Sequence, residues 1–205
     1  MPKKIIPSEI QAVTDAVMKE IDVIVVIDKS GSMGDPSQRF QGKTKWEELR
    51  EDVTAIAREF GKYDADGLTV IPFSSAALSQ DGVTADAVAK LFSEYSPRGS
   101  TNLAEALQVA AGKVRQSQKQ CVVLVFTDGS PDDAKAAVQQ IESAGKEFGR
   151  PKIGFCFIQV GNDTGATQFL DQLDNDLQVD VVATVSAKDA ESLSAQQFAW
   201  LAQNA

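Results

Sequence analysis

Ile21-Asp22-Val23-Ile24-Val25-Val26-Ile27-Asp28 is the stretch on which the fold turns. Its interior is β-branched and almost wholly apolar, as a parallel strand buried on both faces must be. A strand with one wet face would instead alternate apolar with polar residues. Runs of the same kind return at residues 68–73, 121–126, 153–160 and 179–185. Between them, apolar residues recur at three- and four-residue steps, the period of a helix with one buried face. Trp46, Leu49, Val53, Ala57 and Phe60 form one such series; Leu103, Leu107, Ala110 and Val114 form the next. Ala134, Val138, Ile141 and Phe148 mark a third, and Phe169, Leu170, Leu173 and Leu177 a shorter fourth. Ile6, Ile10, Val13 and Val17 predict a leading helix, while Leu193, Phe198 and Leu201 predict a closing one. Strand–helix alternation of this kind predicts an α/β fold: an open, mostly parallel sheet of about six strands with helices on both faces. Residues 73–78 continue the second strand into a short antiparallel edge strand. No repeat or Pro/Gly-rich linker divides the chain, so residues 21–205 are expected to form one domain, with residues 1–20 as a helical extension packed on it.

Composition removes whole classes of function. The 205 residues are 43% hydrophobic and 24% charged, an ordinary balance for a globular protein and not that of a disordered one. Lys and Arg number 20 against 29 Asp and Glu, a net charge of −9, which leaves no cation excess for nucleic acid or an anionic membrane. Histidine is absent, and with it Ser-His-Asp and Cys-His nucleophiles, His-ligated zinc and a His general base. Cys121 and Cys156 each lie inside an apolar run and are expected to be buried strand thiols. No apolar run is long enough to span a bilayer, and the first residues lack the apolar stretch of a signal peptide. A cytoplasmic location without membrane insertion is therefore expected.

In an open α/β sheet, ligands bind beyond the carboxyl ends of the strands, where the following loops converge. The first strand ends in Asp28-Lys29-Ser30-Gly31-Ser32-Met33-Gly34, and the strand at 121–126 ends in Thr127-Asp128-Gly129-Ser130. Between them in sequence, Arg98-Gly99-Ser100-Thr101-Asn102 opens a helix. Asp28, Ser30, Ser32, Thr101 and Asp128 would thus gather on one rim as an all-oxygen set, which suits a hard divalent cation. Mg2+ takes about six oxygens at roughly 2.1 Å and keeps several waters, so neutral hydroxyls fit it better than they fit the carboxylate-rich cage of Ca2+. Mg2+ is the expected ion, with Mn2+ or Ca2+ as substitutes. With at most two protein anions facing it, such an ion stays electrophilic and would attract a carboxylate from another molecule.

These three segments, in this order and each at a strand or helix boundary, resemble the von Willebrand factor type A domain with its metal-ion-dependent adhesion site. The resemblance runs from about Ile21 to the C-terminus and implies a Rossmann-like fold. It further implies that Ser30 and Ser32 bind the metal directly, Asp28 directly or through water, and that Thr101 and Asp128 exchange between direct and water-mediated contact. A protein partner would supply an Asp or Glu to the remaining position, and a neighbouring copy of the chain could do the same by self-association. In some members that change is coupled to a shift of the last helix. The DKSGSM loop resembles intracellular bacterial members, including those linked to tellurium resistance and stress responses. The function implied is a non-catalytic binding module. The alternatives are a structural or stress-response subunit with a vestigial metal site, and a metal-dependent phosphatase using Asp28 as nucleophile. The last needs a general acid two residues on, where this chain has Ser30.

Each element of the motif also has a plain structural reading. Asp28, Ser30 and Ser32 could satisfy their own loop backbone. Asn102 with Glu105 reads as a helix cap compatible with Thr101 as ligand. Ser130-Pro131-Asp132-Asp133 reads as N-cap, Pro at the first helical position and acids favoured by the helix dipole, rather than as further ligands. Gly42-Lys43-Thr44 ends like a phosphate-binding loop but lacks its earlier glycine, which falls at Ser37, and reads instead as the basic start of a helix. Lys29, Asp35 and Arg98 flank the rim and are expected to be solvated, with the two cations placed to steer an acidic partner.

Overall fold

A computed structural model describes residues 10–204. Its centre is β1 (Ile21–Asp28), flanked by β2 (Leu68–Phe73) and β4 (Gln120–Thr127). With β3 (Gln80–Val83), β5 (Ile153–Gln159) and β6 (Val182–Ser186) these make a six-stranded sheet in the order β3-β2-β1-β4-β5-β6. Every pairing is parallel except that of β3, which runs antiparallel to β2 at one edge. The connections are α1 (Asp15–Met18), a 3-10 turn (Gly31–Gly34), α2 (Lys45–Phe60), α3 (Ala85–Glu94), α4 (Leu103–Gln116), α5 (Ala134–Phe148), α6 (Thr164–Asp176), α7 (Ala187–Ala190) and α8 (Ala195–Asn204).

Side chains alternate across the sheet, so β1 feeds two cores. Val23, Val25 and Ile27 pack with Leu49, Val53 and Phe60 of α2, Phe92 of α3, and Phe198 and Leu201 of α8. Ile24 and Val26 pack on the other face with Leu103 and Leu107 of α4, Ile141 of α5 and Phe169 of α6. Trp46 of α2 stacks on Phe92 of α3 at 4.4 Å between ring centroids, which fastens that pair of helices together. Cys121 and Cys156 are buried in β4 and β5 and form no disulfide. Among the described residues no helix is long and apolar enough to cross a membrane.

Several local expectations are corrected. Of residues 73–78, only Phe73, the end of β2, is in a strand: Phe73 and Ala77 meet in one isolated bridge, and the antiparallel edge begins at Gln80. The chain turns at Ser74, whose N–H bonds the Ala76 carbonyl at 3.0 Å, and pairs with β2 only through Ala77 and the Leu78 N–H before Gln80. The leading helix shrinks to the four residues of α1, capped by Thr14, with Ile6 outside the described residues. Ile10 is nevertheless buried, and Val13 and Val17 pack on the core. The last strand begins at Val182 rather than 179, and α6 is 13 residues long. Helix α3 was not foreseen; its buried Val88, Leu91 and Phe92 follow a helical period just after the edge strand.

Helix α8 comes close to β5 at Gly154. A Cβ built on Gly154 would fall 1.6 Å from the Ala202 carbonyl oxygen. Gly154→Ala therefore has to displace α8 or bend β5, and overpacking of this kind costs about 1–3 kcal/mol or more. Thermal unfolding should show a melting temperature lower by about 2–4 °C for each kcal/mol in a chain of this size, with α8 amides the first to lose protection from hydrogen exchange.

Candidate metal site at the sheet crossover

The strand order reverses between β1 and β4: the chain leaves β1 toward β2 on one side, then returns to place β4 on the other. Register aligns their carboxyl ends, with Ile27 opposite Phe126 and Asp28 opposite Phe73. The loops after β1 and β4 consequently diverge from a common crevice. Asp28, the last residue of β1, has no exposed surface, and Asp128 is 1% exposed. Ser30 lies above them at 3% exposure, and Ser32 is open to solvent.

Hydrogen bonds tie four of the five expected ligands into one chain. The Ser30 N–H donates to Asp28 Oδ1 at 2.7 Å, and Thr127 Oγ1 donates to Asp28 Oδ2 at 2.8 Å. Ser30 Oγ and Ser32 Oγ are 3.1 Å apart, and Ser32 Oγ donates to Asp128 Oδ1 at 2.9 Å. Thr101 joins through its loop: the Gly31 N–H bonds the Gly99 carbonyl at 3.2 Å, and the Arg98 N–H bonds the Lys29 carbonyl at 2.8 Å. Gly99 holds φ +85°, and a Cβ there would meet Ser75 Oγ at 2.9 Å, so only glycine lets this loop close on the serines of the next one.

Asp132 holds the same loop from below, accepting from the Thr101 N–H at 3.0 Å while its own N–H bonds the Thr101 carbonyl at 2.9 Å. This corrects the expected cap. Helix α5 starts at Ala134 and is capped by Asp133, whose side chain accepts from the Ala136 N–H at 2.9 Å, not by Ser130 with Pro131 at the first position. Asn102 does cap α4, with Oδ1 accepting from the Glu105 N–H at 3.4 Å and Nδ2 donating to Glu105 Oε2 at 2.9 Å. Thr44 and Glu47 form a full capping box on α2, so the residues around Lys43 begin a helix as expected. Asp35 and Arg98 are exposed. Lys29 is less free than expected: its ammonium donates to Ser74 Oγ at 2.6 Å and lies 5.9 Å from the Tyr95 ring centre.

Burial pushes the Asp28 carboxyl up to about 6, against the hydrogen bonds from Ser30 and Thr127 that favour its charged form; the neighbouring Asp128 pushes the same way as burial. Among the described residues no Lys or Arg reaches within 4.0 Å of it. Asp128 is different, since Lys45 Nζ lies 2.7 Å from its Oδ2. Sequence reading missed Lys45 and Ser74, and took Asp132 for a helix-start acid rather than the holder of the Thr101 backbone. For Lys45 a signal was present: a cation at the first helical position opposes the helix dipole and needs a compensating partner.

The donors are two carboxylates and three hydroxyls, and no cluster of three or more Asp, Glu, His or Cys that could hold a metal occurs among the described residues. A cation here would depend on Ser and Thr oxygens, the set that suits Mg2+ or Mn2+. Asp28, buried and without an ion-pair partner, is the group that such a cation would relieve. The same burial, with a hydrogen bond at each oxygen, leaves Asp28 poorly placed to attack a phosphate as a nucleophile.

Comparison with known proteins agrees with this architecture. The model of the von Willebrand factor type A domain matches residues 22–196. Among solved structures, the PilB minor pilin from Streptococcus sanguinis superimposes with a TM-score of 0.60 at 14% identity, covering 88% of this chain and 59% of the pilin. Manganese-loaded TRAP protein of Plasmodium vivax gives 0.61 at 18% identity, over 84% of this chain and 71% of that one. A von Willebrand factor type A protein from Catenulispora acidiphila gives 0.62 at 16% identity, over 87% and 41%. At such identities the likeness is one of fold, and this chain spans about three-fifths of the pilin's length. No curated protein sequence matches it. With the family's model covering all six strands up to the start of the last helix, the chain belongs to the von Willebrand factor type A domain family, a family of protein-interaction modules.

Proposed function

We propose that the chain is a non-catalytic binding module that engages an acidic side chain of a partner protein through Mg2+ held by Asp28, Ser30, Ser32, Thr101 and Asp128. The observation that carries the reading is the buried Asp28, with no salt bridge among the described residues, beneath a row of hydroxyls that ends at Asp128. When bound, the ion would supply a Lewis-acidic point able to take one more oxygen donor. The protein's part is to hold the oxygens and limit their charge. Ser30 and Ser32 contribute no net charge, and Asp28 lies below the surface rather than on it. Lys29 and Arg98 add positive potential beside the rim, which favours the approach of an anionic group and repels a basic one. The manganese named for the structurally similar TRAP protein supports a divalent ion of this size. Two buried cysteines that form no disulfide accord with a reducing compartment, and the reading keeps the module cytoplasmic.

Calorimetric titration of Mg2+ should give one site in the natural chain and none in Asp28→Ala or Ser30→Ala. A partner retained from cell extract in Mg2+ should be released by EDTA. Undiminished Mg2+ binding in both variants, or equal partner recovery in EDTA, would overturn the reading.

Asp28→Asn separates this loss from unfolding. The amide oxygen can still accept from the Ser30 N–H, and its NH2 can donate to Thr127 Oγ1, whose own hydroxyl can turn to the Gly129 carbonyl 3.3 Å away. The change also removes a buried charge that burial disfavours. Metal-free Asp28→Asn should therefore match the natural chain in stability to within about 1 kcal/mol, measured by urea unfolding, while its Mg2+ signal vanishes.

A further inference from the structure

Helix α2 begins with a residue whose charge is wrong for its place. Lys45 is the first helical residue, directly after the Thr44 cap, where the unpaired N–H groups of the helix already present positive charge. Its side chain does not turn out to water. It is only 12% exposed and runs inward to Asp128 Oδ2 at 2.7 Å, where Asp128 has no exposed side-chain surface at all. The path is built for it. Gly161, at φ +79°, leaves the room in which the Lys45 methylenes lie, and a Cβ there would come within 3.3 Å of Lys45 Cε. The Lys45 backbone is anchored as well, its N–H bonding the Asp35 carbonyl at 2.9 Å just past the serine loop.

The two acids of the site are thereby made unequal. One oxygen of Asp128 faces Ser32 and the other is taken by an ammonium, whereas Asp28 makes no salt bridge among the described residues. Resting on the Mg2+ reading above, we infer that Lys45 is an internal counter-cation of the metal site. It neutralises Asp128, holds back its second oxygen and sets the affinity for Mg2+ below what two buried carboxylates would give. A divalent ion entering beside Asp128 meets the repulsion of a fixed positive charge that bulk ions screen little at this burial. The ion so held is more electron-poor, and an acidic partner group binds it in preference to a second protein carboxylate. Lys45 is thus a positioning residue that sets how much the site needs its partner.

A salt bridge serving only to fasten α2 to the sheet predicts something else: its loss would weaken the fold and leave Mg2+ affinity unchanged. The test is a Mg2+ titration by calorimetry on the natural chain, Lys45→Met and Lys45→Gln, with folding read by circular dichroism. Lys45→Met keeps the length of the stem without the charge; Lys45→Gln provides the same comparison if the methionine variant does not fold. The expected result is a Mg2+ dissociation constant lower by about tenfold or more in the variant. The rise in melting temperature on adding Mg2+ should also exceed that of the natural chain. Binding by the variant alone would support an ammonium that bars the site and would overturn the one-site prediction for the natural chain. Mg2+ binding that is equal or weaker in the variant overturns the inference and leaves the metal reading standing. Absence of Mg2+ binding in every form overturns both.

Discussion

Because β1 is paired in parallel on both sides and packed on both faces, nothing of its interior reaches water, and everything it must present to the outside has to leave from its end. That constraint organises the molecule. The apolar residues from Val23 to Ile27 are fully committed to the two cores. The first polar group after them, Asp28, remains within the protein because the strand ends of β2 and β4 stand level with it. The crevice at the crossover is therefore a product of strand order before it is a product of any particular side chain, and the loops inherit their meeting place from the sheet.

A site made this way sets stability against function. Asp28 spends its burial without an ion pair, held by one backbone N–H and one hydroxyl, and its carboxyl is pushed toward the neutral form as a result. An apolar residue there would suit the core better; a charge at that depth makes sense as one half of an interaction completed by a ligand. A second buried acid, Glu48, is settled within the chain instead. Arg39 reaches Glu48 and Asp52 of α2 and also Glu191, between α7 and α8, so that Glu48, though 1% exposed, is paired. The contrast between these saturated acids and the unsaturated Asp28 is what singles out the rim.

The strands and long helices could be read from apolar periodicity because burial on one or both faces leaves an unmistakable pattern. The serine loop, Thr101 and Asp128 could be read because each sits at a pattern break where a strand ends or a helix opens. What stayed hidden depends on contacts between distant segments. Ser130 and Pro131 fit the local rules for a helix start, yet Asp132 is engaged by the backbone of Thr101, about thirty residues earlier, so the helix waits for Asp133. The edge strand shifts to Gln80 because Ser74 turns the chain and then serves the Thr101 loop, its carbonyl accepting from the Asn102 N–H at 2.9 Å. Lys45 is marked in the sequence only by its awkward position on the helix dipole; its partner is invisible until β4 is placed.

The pairing of Ile27 with Phe126 carries one further implication. Side chains on a strand point alternately to opposite faces, so sliding β4 past β1 by a single residue would exchange the two cores and carry Thr127 away from Asp28. No compact but mispaired chain can therefore possess the crevice, although every copy of the polypeptide carries its residues. On the proposed reading, occupancy of the rim would double as a gauge of faithful assembly, and a partner that recognised it would select correctly folded molecules from the rest.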